Sequence, residues 1–87
     1  MAIKNMKPSV LVVEDDEAIV TLLTYTLEKA GFDVRTTSDG DEALIMVDEE
    51  KPDLLLLDWM VPGLTGIQIC DRIRRSEETK KIPVIMI

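Results

Sequence analysis

Apolar residues fall along this chain in short blocks, and the spacing inside the blocks switches between continuous runs and helical periodicity. Val10 to Val13 is an unbroken aliphatic run that halts at Glu14, Asp15, Asp16 and Glu17. Such a run suits a strand covered on both faces, as in parallel sheets, and predicts the first strand. Ile19, Leu22, Leu23, Thr26, Leu27 and Ala30 then recur at helical spacing, and Gly31 stands where a left-handed C-cap falls. The pattern predicts a first helix starting near Asp16 or Glu17. Phe32 to Thr37 alternates weakly and reads as a second strand. Ser38 and Asp39 offer N-cap oxygens to a second helix that carries Ala43, Leu44 and Val47 and ends near Glu50. Pro52 and Pro62 bracket Leu54, Leu55, Leu56, Leu57 and Asp58. Leucine alone does not separate helix from strand, but so short a bracketed run favours a third strand. Thr65 caps a third helix with an inward stripe of Gly66, Ile69, Cys70 and Ile73. Arg72, Arg74 and Arg75 face outward where cations suit the helix dipole. A charged stretch from Glu77 to Lys81 leads to Ile82 to Ile87, a fourth strand. Met1 to Pro8 shows no periodicity and reads as a flexible lead.

Strands alternating with helices imply right-handed crossovers onto a parallel sheet with helices on both faces, an α/β domain in three layers. At 87 residues there is room for one domain or part of one. No apolar run approaches the roughly 20 residues of a membrane-spanning helix, so a soluble chain is expected. Seventeen acidic against ten basic residues give a net charge of −7, which repels phosphate backbones and speaks against direct nucleic-acid contact. One cysteine permits no intrachain disulfide, and no leader pattern opens the chain, so the cytoplasm is the expected compartment. With no histidine, the commonest general base and the commonest zinc ligand are excluded.

In open α/β sheets ligands sit beyond the carboxyl ends of the strands, where the connections diverge. The first and third strands both end there in acid. If they are neighbours, Glu14 and Asp15 face Asp58, and like charges ~5 Å apart at an effective dielectric of ~20 repel by roughly 3 kcal/mol per pair. Such a group needs a cation or a proton. Oxygen ligands without histidine or thiolate select a hard divalent ion, and a shallow site with few carboxylates suits Mg²⁺ better than Ca²⁺. A carboxylate beside Mg²⁺ can also attack a phosphoryl group, giving an aspartyl phosphate. Asp58 is the candidate nucleophile, because it ends its strand alone before the Trp59 to Gly63 loop; Glu14, Asp15 and Asp16 are placed to hold the ion. Each feature alone has an ordinary structural meaning: acids before a helix complement its dipole, and an acid after a leucine run is a common strand end. Their joint occurrence at two strand tips is what points to a site. Cys70 reads as a small core residue, Trp59 equally as loop cover or docking aromatic, and the arginines as a solvated face.

VLVVEDDEAI, then DLLLLDWMVPGLTGIQIC, then KIPVIMI resemble in order and spacing the receiver domain of two-component response regulators. The DWMVPG stretch is similar in particular to the subfamily with a winged-helix DNA-binding output domain. The resemblance covers about Ser9 to Ile87 and assigns residues 9–87 to the N-terminal part of a receiver. It implies a flavodoxin-like sheet of order 2-1-3-4-5, here 2-1-3-4 without the fifth strand and last helices. It implies a signalling domain rather than an enzyme, one that supports only its own phosphoryl transfer and hydrolysis. The phosphoryl group would pass from a sensor histidine kinase to Asp58. Asp15 and Asp58 would ligate Mg²⁺, with Glu14 acting mainly through a water and the Met60 backbone carbonyl completing the protein's share. Asp16 drops out as a ligand. Ala18, Ile19 and Leu22 would belong to the kinase-docking surface. The family's Ser or Thr after the fourth strand and its strand-terminal Lys do not occur in this sequence. The expectation is therefore a fragment, or a chain completed by dimerising or swapping through its apolar C-terminal strand. A non-phosphorylated interaction module is the alternative. A haloacid-dehalogenase-type phosphatase requires a second Asp where Met60 stands, and a dinucleotide site requires glycines where the four acids stand.

Overall fold

A computed structural model describes residues 7–87; the rest of the expected flexible lead lies outside the described residues. The elements follow in the order β1 (Ser9–Val13), α1 (Glu17–Lys29), β2 (Asp33–Thr37), α2 (Gly40–Glu50), β3 (Leu54–Leu57), α3 (Gly66–Arg75) and β4 (Val84–Met86). The strands of the sheet pair in parallel, in the order β2-β1-β3-β4. This is the flavodoxin-like α/β architecture. Among the described residues no helix is long and apolar enough to cross a membrane.

The two central strands are the two continuous aliphatic runs, for a direct reason. Successive side chains of a strand point to opposite faces, so a strand covered twice must be apolar at every position. Leu11, Val13, Leu55 and Leu57 pack under α2 and α3 with Ala43, Val47, Ile69 and Ile73. Val10, Val12 and Leu56 point the other way, against Leu23 and Leu27 of α1. Edge strand β2 exposes Arg35 and Thr36, which is why its alternation is weak.

Local chemistry sets the helix ends. The Asp16 carboxylate accepts from the N–H groups of Ala18 at 2.9 Å and Ile19 at 3.3 Å, Asp39 caps α2, and Thr65 with Gln68 forms a reciprocal capping box on α3. At the end of α1 the left-handed residue is Gly31, with φ of 100°, one position past the cap residue Ala30.

Three details differ from the periodicity. On α1 the half-buried stripe is Val20, Leu23, Thr24 and Leu27, while Ile19 and Leu22 are 40% and 64% exposed. One helix laid on a sheet buries only a narrow stripe, and residues one position away are rotated by about 100° out of it. The fourth strand is shorter than expected, because Ile82 closes a turn. Arg74, expected on a solvated face, donates from Nη1 to the carbonyls of Lys80 and Ile82, both at 2.8 Å, and so fixes that turn. Urea denaturation should find Leu57→Ala destabilised by about 2–5 kcal/mol and Leu22→Ala changed by no more than about 0.5 kcal/mol.

Candidate metal centre

The register of the central strands builds the site. Val13 pairs with Leu57, so the next residues, Glu14 and Asp58, leave neighbouring strand tips at one level. The Asp58 N–H donates to the Val13 carbonyl at 2.9 Å, and the Glu14 N–H donates to the Thr37 carbonyl at 3.0 Å. Connections diverge at this point of the sheet, from β1 toward β2 and from β3 toward β4, which opens a crevice between the two tips. One carboxylate oxygen from each of Glu14, Asp15 and Asp58 lies within 4.8 Å of the other two.

The three acids differ in exposure. Glu14 is 5% exposed, Asp58 half-buried and Asp15 open to solvent. Asp16 is committed elsewhere as the cap of α1, and its N–H donates to Glu14 Oε2 at 3.1 Å. Burial foremost, then the neighbouring Asp58 and Asp15, raise the Glu14 carboxyl above its ordinary value, and the Asp16 N–H opposes the rise. Among the described residues, no ion pair to Lys or Arg involves the three acids. The donor set is all oxygen, from carboxylates, partly open to water and without histidine or thiolate, so it fits a hard divalent cation such as Mg²⁺.

The segment after Asp58 is tightly placed. Gly66 opens α3 so close to the end of β3 that a Cβ there would lie 3.0 Å from the Asp58 carbonyl oxygen. Its N–H donates to the Trp59 carbonyl at 3.0 Å, and Met60 pairs with Thr65 in an isolated antiparallel bridge. Met60 therefore sits in a constrained loop two residues past Asp58. Trp59 is half-exposed and lines an apolar groove of about 450 Å³ with Ile67, Cys70 and Met86.

One polar group escaped the sequence reading. Buried Thr37, at the end of β2, donates from Oγ1 to Glu42 Oε1 at 2.5 Å and accepts from the Asp39 N–H at 3.3 Å. A Thr closing an edge strand just before a capped helix was the available signal. The crevice widens on this side into a polar pocket of about 390 Å³ lined by Glu14, Asp15, Thr37 and Glu42 among others.

Comparison with known proteins gives a consistent result. The response regulator receiver domain family matches residues 10–87. The phosphate regulon transcriptional regulatory protein PhoB of Rhizobium meliloti is 52% identical over 82 residues, 94% of this chain and 36% of that protein. The alkaline phosphatase synthesis transcriptional regulatory protein PhoP of Bacillus subtilis is 49% identical, over 94% of this chain and 33% of that protein. The chain thus spans about a third of the length of these curated relatives. A crystal structure of a response regulator from Chloroflexus aurantiacus superposes with a TM-score of 0.89 at 35% identity, over 92% of this chain and 66% of that one. The receiver domain of a sensor histidine kinase from Pseudomonas aeruginosa, solved with a magnesium ion coordinated in its active site cleft, superposes with a TM-score of 0.88 at 28% identity, again over 92% and 66%.

The raised Glu14 carboxyl has a consequence for stability. The folded chain holds this proton more tightly than the unfolded chain, so without metal it loses stability as pH rises from the ordinary value of 4.5 through the raised one. Glu14→Gln keeps the oxygen that accepts from Asp16 and removes the charge. Metal-free thermal unfolding at pH 7 should show the variant melting higher, by about 4–8 °C for each kcal/mol of relieved burial and repulsion cost in a domain of this size, with the difference vanishing near pH 4.

Proposed function

Because the chain belongs to the response regulator receiver domain family, we propose that it is a phosphoacceptor signalling domain in which Asp58 receives a phosphoryl group from the phosphohistidine of a sensor kinase. The observation that carries this reading is the meeting of three carboxylates from two strand tips within 4.8 Å. Isolated acids at strand ends are ordinary; three held together by backbone pairing carry an electrostatic cost that a structural role leaves unexplained. Residues 9–87 are read as the N-terminal part of the receiver.

Asp15 and Asp58, with the Met60 backbone carbonyl and with Glu14 through a water, would hold Mg²⁺. Its contribution would be to neutralise charge on the oxygens of the transferring phosphoryl group. The chain's own residues do the remainder. Asp58 supplies the attacking carboxylate oxygen: a P–O bond to it forms as the P–N bond to the donor imidazole breaks, and the imidazole leaves with the bonding pair and takes up a proton. The bond from the Asp58 N–H to Val13 holds the backbone of the nucleophile in place while its half-buried side chain stays accessible. Ala18, Ile19 and Leu22 are exposed on the first half of α1, the helix that follows the tip of β1, and would form part of the kinase-docking surface.

The names of the similar transcriptional regulators support a wider reading, in which the parent protein is a cytoplasmic transcription regulator that contacts DNA through a segment outside these residues. Exposure of Ile85 and Ile87 on and beside the outer strand β4 favours a second reading, an interaction module that forms a homodimer or swapped oligomer through that strand.

Incubation with acetyl phosphate and Mg²⁺, followed by intact mass spectrometry, should add one phosphoryl group to the chain and none to Asp58→Asn. Chelation of the metal should abolish the modification, and Asp15→Asn should slow it by about tenfold or more, the loss of about 1.4 kcal/mol or more of charge stabilisation. Equal modification of the parent and Asp58→Asn would contradict the assignment and leave the interaction module standing.

A further inference from the structure

The acidic group draws its residues from two separate segments, the tip of β1 and the start of the loop after β3, and both are tied to a third segment that contributes no ligand. The Glu14 N–H donates to the Thr37 carbonyl at 3.0 Å, and the Gly40 N–H donates to the Pro62 carbonyl at 2.8 Å. Between these two bonds the chain is stiffened by Thr37 Oγ1, which bonds both Glu42 and the Asp39 N–H, and by Asp39, which accepts from the Glu42 N–H at 3.1 Å. The contact is as close as backbone allows: a Cβ on Gly40 would lie 2.8 Å from both the N and the O of Leu64. Gly63, with φ of 95°, presents its Cα to the carboxylates of Asp39 and Asp41, so that a Cβ would meet them at 2.8 and 2.7 Å. Together with the bond from Asp58 to Val13, these contacts close a ring of backbone running from the tip of β1 to the tip of β2, the start of α2, the Pro62 loop, the tip of β3 and back to β1.

We propose that the β2–α2 junction, Thr37 to Asp41, is the positioning element of the metal centre: it holds the β1 tip and the loop after Asp58 at a fixed separation, with Gly40 and Thr37 as its positioning residues. This rests on the reading of Glu14, Asp15 and Asp58 as a Mg²⁺ site. A cation with a strict octahedral demand is sensitive to sub-ångström drift among its ligands, so loosening a brace that touches no ligand side chain still weakens binding. Gly40→Ala pushes the Leu64 backbone away and opens the ring on the loop side. Thr37→Val keeps the shape and the backbone bond to Glu14 but removes the hydroxyl that stiffens the junction; Thr37→Ser restores it.

Calorimetric titration with Mg²⁺, alongside the metal-free melting temperature, tests the proposal. The expected result is binding weakened about tenfold or more in Gly40→Ala and about threefold in Thr37→Val, with parent affinity recovered in Thr37→Ser. Val34→Ala, in the α1-side core of the same strand, serves as a control of comparable melting loss and should keep the parent affinity. Parent-like affinity in Thr37→Val together with any folded Gly40→Ala overturns the proposal. So does a loss in Val34→Ala that matches theirs, because affinity would then follow global stability. A parent chain that takes up no Mg²⁺ is the distinct failure of the underlying metal reading and removes this proposal with it.

Discussion

The burial of the Glu14 carboxylate and its repulsion from Asp15 and Asp58 are the cost around which this structure is organised. Side chains free to move would swing apart, since like carboxylates at about 5 Å repel by roughly 3 kcal/mol per pair at an effective dielectric of ~20. Here parallel pairing holds the backbones of Glu14 and Asp58 at neighbouring tips and limits how far the carboxylates can part. Val13 and Leu57 are partners in register, and the residue after each is an acid, so the separation of the acids is set by the spacing of adjacent strands. Burial offsets the cost. Val10 to Val13, Leu55 and Leu57 are at most 2% exposed, and each fully buried aliphatic side chain contributes about 1.5–3 kcal/mol. Two doubly covered strands can therefore carry a destabilised group at their tips and remain folded.

The two faces of the sheet divide the work. α2 and α3 bury the larger core and bring their N-termini beside the acidic group, where Asp39 and Thr65 cap them and Gly66 lets α3 approach the backbone of Asp58. α1 covers the opposite face with a narrow stripe and leaves Ile19 and Leu22 on the surface. Asp16 shows how closely structure and chemistry share the same four acids. It lies next to Asp15 in sequence, yet its carboxylate faces the N–H groups of the helix and not the crevice.

The central strands were legible because double burial leaves an uninterrupted aliphatic run, and the acids that end those runs were legible as a site because two such ends must lie side by side in a parallel sheet. Capping chemistry gave the starts of α1, α2 and α3 within a residue. The buried stripe of α1 was not legible: Ile19 and Leu22 share the periodicity of Leu23 and Leu27, and only the crossing of helix on sheet selects between them. Arg74 was not legible either, since a guanidinium that fixes a turn looks in sequence like one in water. Least visible was the β2–α2 junction. Its bonds, from the Glu14 N–H to the Thr37 carbonyl and from the Gly40 N–H to the Pro62 carbonyl, are backbone contacts over more than twenty positions, and backbone pairing across such distances leaves only a trace, in Gly40 and Gly63.

Under the proposed function, the strand-tip acids Glu14, Asp15 and Asp58 share one divalent ion. Substituting paramagnetic Mn²⁺ and following the backbone amide signals by NMR reads the location of the ion without requiring any phosphoryl transfer. The account predicts that substoichiometric Mn²⁺ broadens the amides of Glu14 to Asp16 and of Asp58 to Met60 before any others. Broadening that begins at acids elsewhere, such as Glu49 and Glu50 or Glu77 and Glu78, with the two tips unaffected, would contradict it.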